Sequence, residues 1–399
     1  MSDGRKLSIL MIAPTPYFSD RGCHVRIYEE ARALGKLGHR VQVCTYHLGR
    51  DQGEVPTRRI PSVPWYRKQS AGPSWHKPYL DILLFFTALK TARKLKPDVI
   101  HAHLHEGAFI GYFLKKLLGM PMVFDCQGSL CGELVDHRFV RKGSPLYRFF
   151  RFMERRISNG ADFIITSSTP TARLLQEEFG VSDEKLAAVC DGVDTDLFRP
   201  GRDVTALRRE LKLPADRKVV VFLGAMNEYQ GIGLLLDAIL LLEKRSDLHF
   251  LIMGYPEEHY VAMAERLGIR QRVTFTGRID YARAPEYLCL GDLAVSPKVS
   301  GTEANGKLFN YMACGLPAVV FDTPVNREIL GDQGVYAHHG SASALAAGIA
   351  SLADSGEQRA ALARRARETA EAEYSWQVVA EKIVAVYPAA ASSAGRKEP

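Results

Sequence analysis

Residues 292–321, DLAVSPKVSGTEANGKLFNYMACGLPAVVF, contain the pattern that decides the fold. A short β-rich run at 292–296 is followed by a polar, glycine-bearing loop, and the next segment has the apolar spacing of a helix that ends at Gly315. Pro317 then opens a second β-rich run. A strand, a helix and a second strand in this order predict two parallel strands joined by a crossover helix.

The same alternation runs along the whole chain. Strands are predicted in the first half at 7–13, 40–45, 98–102, 121–125 and 162–166, and in the second half at 218–223, 248–253, 272–276, 292–296 and 317–321. Helical patterns separate them, so we predict an α/β protein with two doubly wound, Rossmann-like domains that face a central cleft. Ligands of such sheets bind beyond the carboxyl ends of the strands.

Turn-forming residues near 191–215 mark the boundary between the two halves. We predict an N-terminal domain over 1–195 and a C-terminal domain over 196–374. A final helix over 375–388 can return to the N-terminal domain, and the Ala- and Ser-rich tail over 389–399 is expected to be disordered.

Composition excludes several classes of protein. The 399 residues are 46% hydrophobic and 24% charged, as in globular proteins. The sequence has no apolar run of about 18 residues, so no transmembrane helix is expected. Seven cysteines without a CxxC pair favour reduced thiols in the cytoplasm, and they argue against disulfides or a structural zinc.

Positive charge is concentrated in the first half. Residues 1–190 hold 28 Lys and Arg against 18 Asp and Glu, whereas the remainder holds 24 against 27. Basic residues lie among aromatic ones at 55–78 and 138–156. In the second segment an apolar stripe recurs at helical spacing, formed by Leu146, Phe149, Phe150, Met153 and Ile157. This segment either rests on an anionic membrane surface or packs on the core with a solvated basic face. Nucleic acid is not an expected partner, since no zinc-finger or RNA-recognition signature is present.

The loop before the helix at 307–313 has the character of an anion site. A glycine-bearing loop that feeds a helix N-terminus offers free backbone N–H groups to a phosphate. Lys307 lies in the first turn, where the helix dipole disfavours a cation unless an anion is bound beside it. The alternative is an ordinary loop followed by a capped helix.

Several segments together resemble the retaining GT-B glycosyltransferases of family 4. They are PKVSGTEANGKLFNYMACGLPAVVFD, RGCHVRIYEEARALGKLGHRVQVCTYH, VIHAHLHEGAFIG, FIITSS, CDGVDTDLFRP and VFLGAMNEYQGIGLLLDAI, which span roughly residues 8–385. The resemblance implies a GT-B fold and transfer of a sugar from a nucleotide diphosphate to an acceptor hydroxyl. It further implies retention of configuration, and neither a cofactor nor a metal.

The donor side departs from the family pattern. In place of the usual pair of glutamates the chain has Asn310 and, near the first position, Glu303. Ala225 and Gln230 stand where the family commonly has an arginine and a lysine that grip the diphosphate. We predict that Lys307 supplies the missing charge. The other donor-binding candidates are Gly22, Arg278, Lys298, Asn305, Gly306 and Asn310, and the catalytic candidates are Glu303, Lys307 and His105.

Acceptor-side candidates lie in the N-terminal half. Gly22 is retained from the family's glycine pair, and His24 and Arg26 either reach the cleft or lie on the surface. The histidines at 101, 103 and 105 alternate, so all three could share one face, but a metal site would need a further ligand and the resemblance implies no metal. We predict that His103 or His105 lines the acceptor side with Glu106; the alternative is that these histidines are structural. Gln127 stands where the family often has a sugar-contacting histidine.

The predicted function is a metal-independent hexosyltransferase in envelope polysaccharide or glycolipid assembly. Its expected partners are a nucleotide-sugar donor and a lipid-linked or polysaccharide acceptor. The protein is expected in the cytoplasm, where it either meets a lipid-linked acceptor at the inner face of the membrane or acts on a soluble acceptor. The missing cations leave two alternatives open: a catalytically impaired nucleotide-sugar-binding protein, and a nucleotide-sugar epimerase on the same scaffold.

Overall fold

The computed structural model describes residues 5–20, 22–68, 74–136, 139–300 and 304–395. The chain forms two compact units. The first contains the residues up to Asp191 together with the last helix from Trp376, and the second begins at Gly192 and ends at Ser375.

The first unit is built on a parallel sheet. Its elements in chain order are β1 (Ser8–Ala13), α1 (Gly22–Lys36), β2 (Arg40–Thr45), β3 (Thr57–Arg59), α2 (Lys77–Leu95), β4 (Val99–His103), α3 (Leu104–Leu118), β5 (Met122–Cys126), α4 (Leu130–Asp136), α5 (Pro145–Gly160), β6 (Phe163–Thr166), α6 (Thr169–Phe179) and β7 (Leu186–Ala188). Within the described residues the strand order is β3-β2-β1-β4-β5-β6-β7.

The second unit repeats the scheme. Its elements are α7 (Thr205–Glu210), β8 (Lys218–Leu223), α8 (Ile232–Leu241), β9 (Leu248–Met253), α9 (Glu258–Arg266), β10 (Val273–Phe275), α10 (Ala284–Leu288), β11 (Leu293–Ser296), α11 (Lys307–Ala313), β12 (Ala318–Phe321), α12 (Pro324–Leu330), β13 (Gly334–Ala337), α13 (Ala342–Asp354) and α14 (Gly356–Glu373). Over the part of the chain described, the order is β10-β9-β8-β11-β12-β13.

Both sheets are the doubly wound arrangement that the alternation predicts, and every observed strand pair is parallel. The central strands are continuous apolar runs because helices cover both faces; Ile9–Ala13 on β1 is completely buried. All ten predicted strands are present. The short edge strands β3, β7 and β13 were not predicted, since they lack the continuous buried apolar run of the central strands.

The last helix, α15 (Trp376–Gly395), packs on α1, β5 and β6. It continues past Pro388 to Gly395, so the prediction of disorder from residue 389 is wrong for 389–395. Alanine-rich sequence favours helix, and Ala390 is buried. Residues 396–399 lie outside the described part of the chain.

Helix α5 is amphipathic in a different way from the prediction. Ile157 is buried, while Leu146, Phe149 and Phe152 are exposed beside Arg148, Arg155 and Arg156. The predicted apolar stripe over Leu146, Phe149, Phe150, Met153 and Ile157 therefore divides, and only its C-terminal end is in the core. Ser144 caps the helix by accepting a hydrogen bond from the Tyr147 amide.

Candidate active site

Lys307 lies at the carboxyl end of the second sheet, in the first turn of α11. Its Nζ donates a hydrogen bond to Oε1 of Gln230, which follows β8 in the chain. The same ammonium lies 4.9 Å from the centre of the Phe222 ring. Lys307 thus reaches the position from which, by the family resemblance, a lysine at residue 230 would act.

Two glycines make this close arrangement possible. Gly224, directly after β8, has φ +155°, and a Cβ there would lie 3.0 Å from Cε of Lys307. Gly231 has φ +73°, and its Cβ would lie 1.9 Å from the carbonyl oxygen of Pro297. A side chain at 224 would displace the end of the Lys307 side chain. A side chain at 231 would push apart the loops after β8 and β11.

The loops after β8 and β11 are also joined through the backbone. The Val299 amide donates to the Tyr229 carbonyl at 2.9 Å, and the Asn227 side chain accepts from the Gln230 amide at 3.1 Å. Lys298, in the second of these loops, is buried. Lys298 and Lys307 thus both lie between the end of β11 and the first turn of α11, and donor binding by Lys298 stays a prediction.

Asn305 has a structural contact that the sequence did not suggest. Its amide nitrogen donates to Ser296 Oγ at 3.0 Å and to Asn326 Oδ1 at 2.9 Å, and the residue is buried. Because this side chain points into the unit, it does not itself face a donor, and the donor contact of residue 305 through its backbone N–H stays a prediction. Asn305 instead braces the loop before α11, whose N-cap is Gly306.

The remaining donor-side candidates are placed as follows. Arg278 is exposed after β10, with its guanidinium 5.4 Å from the centre of the Tyr255 ring. Asn310 is half-buried on α11, one turn after Lys307. Glu303, the predicted catalytic carboxylate, lies outside the described residues. Tyr255 was not among the predicted site residues, although it lies in the turn sequence GYP directly after the predicted strand at 248–253.

In the first unit, Arg26 organises the carboxyl ends of the strands. It is buried on α1, and its Nη2 and Nη1 donate to Asp125 at 2.8 Å and to Asp191 at 2.6 Å. Asp125, at the end of β5, also accepts from Gln127 Nε2 and bonds His103 Nδ1, both at 2.9 Å. Arg26 is therefore not a surface residue, and Gln127 is positioned by a carboxylate that the sequence analysis did not assign a role.

His105 is separated from the other two alternating histidines. Leu104 has φ +60° and starts α3, so His105 turns away from the face that His101 and His103 share. Its Nε2 lies 3.5 Å from Glu154 on α5. Burial alone would lower the pKa of His105, but Cys126 and Glu154 raise it well above its ordinary value. These contacts indicate a buried ion pair rather than the predicted catalytic group.

The acceptor-side candidates do not form one cluster. His24 is buried and its Nδ1 bonds Ser19 Oγ at 2.8 Å, while Gly22 is exposed at the start of α1. Glu106 forms an ion pair with Lys77 on α2. Burial would raise the pKa of Glu106, but Lys77 lowers it.

The Glu106–Lys77 pair lies beside Asp81 and Tyr46. Tyr46 donates its hydroxyl proton to Asp81 at 2.5 Å. Burial and then the charge of Glu106 raise the pKa of Asp81 to about 7. The expected association of His103 with Glu106 does not occur, because Asp125 holds His103 inside the sheet.

Comparison with known proteins covers both units. Residues 21–192 match the glycosyl transferase 4-like domain, and residues 203–369 match the glycosyl transferases group 1 family. A D-inositol 3-phosphate glycosyltransferase from Corynebacterium aurimucosum is 26% identical over 93% of this chain and 91% of its own length.

Solved structures share the fold. Sucrose-phosphate synthase from Thermosynechococcus elongatus superposes with a TM-score of 0.82 at 18% identity, over 96% of this chain and 98% of that one. HepE from Anabaena, solved in complex with UDP-glucose, has a TM-score of 0.78 at 18% identity, over 96% and 99% of the two chains. At these identities the structural likeness establishes the two-domain fold alone.

Proposed function

Since the chain belongs to the group 1 glycosyltransferases with a 4-like N-terminal domain, we propose that it transfers a sugar from a nucleotide diphosphate to an acceptor hydroxyl with retention of configuration. That the protein is a glycosyltransferase follows from its family. The donor class, the stereochemistry and the acceptor are the proposal. The observation that carries it is the contact of Lys307 with Gln230 at the carboxyl end of the second sheet.

The charge of Lys307 supports a diphosphate leaving group. Ala225 and Gln230 leave the loop after β8 without the cations that the resemblance implies, and Lys307 brings one to that loop from α11. As the glycosidic bond breaks, negative charge builds on the diphosphate, and a positioned ammonium stabilises it. Lys298 adds a second positive charge from the loop after β11.

With the positive charges of Lys307 and Lys298 beside it, the diphosphate can leave without a metal ion in the donor site. The departing diphosphate oxygen can accept the proton of the acceptor hydroxyl on the same face of the sugar, which accounts for retention without a histidine base. Arg278 and Tyr255 together form a cationic and aromatic surface suited to a nucleobase.

The first experiment identifies the donor and the stereochemistry. Thermal shift against nucleotide sugars selects the donor, and NMR of the product made with an inositol phosphate or a lipid-linked acceptor gives the anomeric configuration. Lys307→Met should reduce turnover at least about 100-fold, in the range found for removal of one oxyanion-stabilising donor. Lys244→Met, at an exposed lysine in the same unit, is the matched control. Inversion, or normal turnover in Lys307→Met, contradicts the proposal.

An anionic acceptor in envelope polysaccharide or glycolipid assembly fits the charge of the first half. Its excess of basic residues lies in the first unit, whereas Lys307 belongs to the second. The C. aurimucosum relative is named for an inositol phosphate substrate, which is itself anionic. Acceptors that carry a phosphate group should therefore be tested first.

The outer face of α2, α3 and α5 further supports contact with an anionic bilayer. Helix α3 packs against both α2 and α5. Large apolar side chains are exposed on all three: Ile82, Phe86, Phe109, Phe113, Leu117, Leu146, Phe149 and Phe152. Exposed basic side chains accompany them, among them Lys90, Arg93, Lys94, Lys116, Arg148, Arg155 and Arg156. Aromatic and cationic residues mixed in this way favour the interface of anionic lipid.

Vesicle flotation tests this membrane face. None of the helices in the described ranges has both the length and the apolar character needed to cross a bilayer, so binding would be peripheral. The protein should float with vesicles that contain phosphatidylglycerol and not with phosphatidylcholine alone. Phe149→Ser with Phe152→Ser should lower binding, whereas Leu241→Ser, at an exposed apolar residue of the second unit, should not. Equal binding by both variants contradicts the assignment.

A further inference from the structure

A buried group of ligating side chains lies inside the first unit, apart from the donor site. Glu30 on α1, His101 and His103 on β4, and Asp125 on β5 are all completely buried. One nitrogen or oxygen from each lies within 4.8 Å of the others, and among the described residues this is the one such group of histidine, cysteine and carboxylate side chains.

The two histidines present the same ring atom to the same side. Their rings stack with centres 4.6 Å apart at an angle of 23°. Nδ1 of His103 bonds Asp125, and Nδ1 of His101 bonds the Tyr387 hydroxyl at 2.9 Å. Both Nε2 atoms have no hydrogen-bond partner, and they lie 3.7 Å and 4.0 Å from Oε2 of Glu30.

The charged side chains around Glu30 and the two histidines do not balance one another. Arg26 is one cation against three carboxylates: Asp125, Asp191 and Glu30, whose Oε1 is 2.9 Å from Arg26 Nε. With neutral histidines, the ionised cluster carries an excess of two negative charges. Uncompensated buried charge is costly, so the site requires protons or a cation. A divalent ion would neutralise it.

We propose that His101 Nε2, His103 Nε2 and Glu30 Oε2 bind a divalent transition metal ion of the zinc type. Metal–ligand bonds of about 2.0–2.1 Å place tetrahedral ligand atoms about 3.4 Å apart, so the distances from the two Nε2 atoms to Glu30 Oε2 need to close by only about 0.3–0.6 Å, and a water molecule completes the tetrahedron. Asp125 and Tyr387 hold the Nδ1 atoms, which is the outer-shell arrangement that orients metal-bound histidines. Arg26 engages the other oxygen of Glu30 and leaves Oε2 for the metal.

The proposed ion has a structural role. It joins α1 to β4 and, through the His101–Tyr387 hydrogen bond, stabilises the docking of α15. His101, His103 and Glu30 are fully buried, so a substrate cannot reach the ion directly. The alternating pattern suggests a group of His101, His103 and His105, whereas in the structure Glu30, and not His105, lies beside the other two histidines. Sugar transfer in the second unit's donor site does not depend on it chemically.

Metal content of the full-length protein tests the inference. The protein is produced without a histidine tag in medium supplemented with zinc, manganese, iron and cobalt, and its metals are measured by mass spectrometry. About one ion per chain is expected, and cobalt-loaded protein should show d–d absorption bands. Glu30→Gln and His101→Asn should lose the ion. His249→Asn, at a buried histidine of the second unit, should keep it.

If these variants fail to fold, measurements on the wild-type protein still test the proposal. A strong chelator added during refolding should lower the Tm of the wild-type protein, and zinc should restore it. Less than about 0.1 ion per chain under every supplement, with no chelator effect, would overturn the proposal. Two protons held within the cluster would then balance the charge.

Discussion

Moving the positive charge from Lys307 to residue 230 is the sharpest test of the donor site. The ammonium and the Gln230 side chain already touch, so a lysine at 230 can place its charge in nearly the same position. Lys307→Gln alone removes the cation. Lys307→Gln combined with Gln230→Lys returns it from the loop after β8.

The size of the effect follows from the half-buried position of Lys307. A hydrogen bond to a charged group contributes about 1.5–3 kcal/mol. At about 1.4 kcal/mol per tenfold change, Lys307→Gln should weaken binding of a nucleoside diphosphate roughly 10- to 150-fold. The double variant should recover most of that loss, because the charge and its distance from the phosphates are nearly restored.

Titration calorimetry at two salt concentrations measures the binding. The ligand is whichever of UDP, GDP, ADP, CDP or TDP binds the wild-type protein most tightly. Salt dependence should fall in Lys307→Gln and return in the double variant, since it reports the ion contact. Gln230→Lys alone is the control for a general gain of charge. An unchanged Kd in Lys307→Gln, with an intact circular dichroism spectrum, refutes the reasoning.

Three further outcomes are expected. Gly224→Ala should cost about 1–3 kcal/mol in urea unfolding, because of its positive φ, and should weaken nucleotide binding by displacing Lys307. Asn305→Ala should lower stability by about 1–3 kcal/mol in the same assay, since it leaves buried partners without hydrogen bonds, and a change below 0.5 kcal/mol would contradict its bracing role. Glu154 has a pKa of about 2 because His105 and the Cys131 amide outweigh the effect of burial, which would raise it. Its stabilisation should be complete above its usual pKa of 4.5 and lost as pH falls towards 2, so Glu154→Gln should be less stable at neutral pH and decline less steeply over that interval.

The fold was largely predictable because its signal is local and repeated. Each central strand is a short apolar run that two layers of helices bury, and each helix has its own spacing, so both sheets can be recognised without knowing any contact. The edge strands and the end of α15 were missed for the same reason. The three-residue strands β3 and β7 lack a buried apolar run that would mark them in the sequence. The helix past Pro388 depends on burial of Ala390 against the rest of the unit.

The candidate site was predictable only where the chemistry lies within one segment. The sequence singles out Lys307 as a candidate because it follows a glycine-bearing loop and begins a helix. Its contact with Gln230 joins residues 77 positions apart, and the Arg26–Asp191 pair joins residues 165 apart. No local pattern records such distances.

Local sequence patterns are therefore enough to predict the two parallel sheets and the family, and they point to the segment that carries Lys307. Packing of the folded chain sets which polar groups meet. It turned Asn305 inward and paired His105 with Glu154. It also brought Glu30 against His101 and His103. The physical reason is that a strand or a helix is specified by neighbours in sequence, whereas the partner of a buried polar side chain is set by the packing of distant elements that must satisfy its charge and hydrogen bonds.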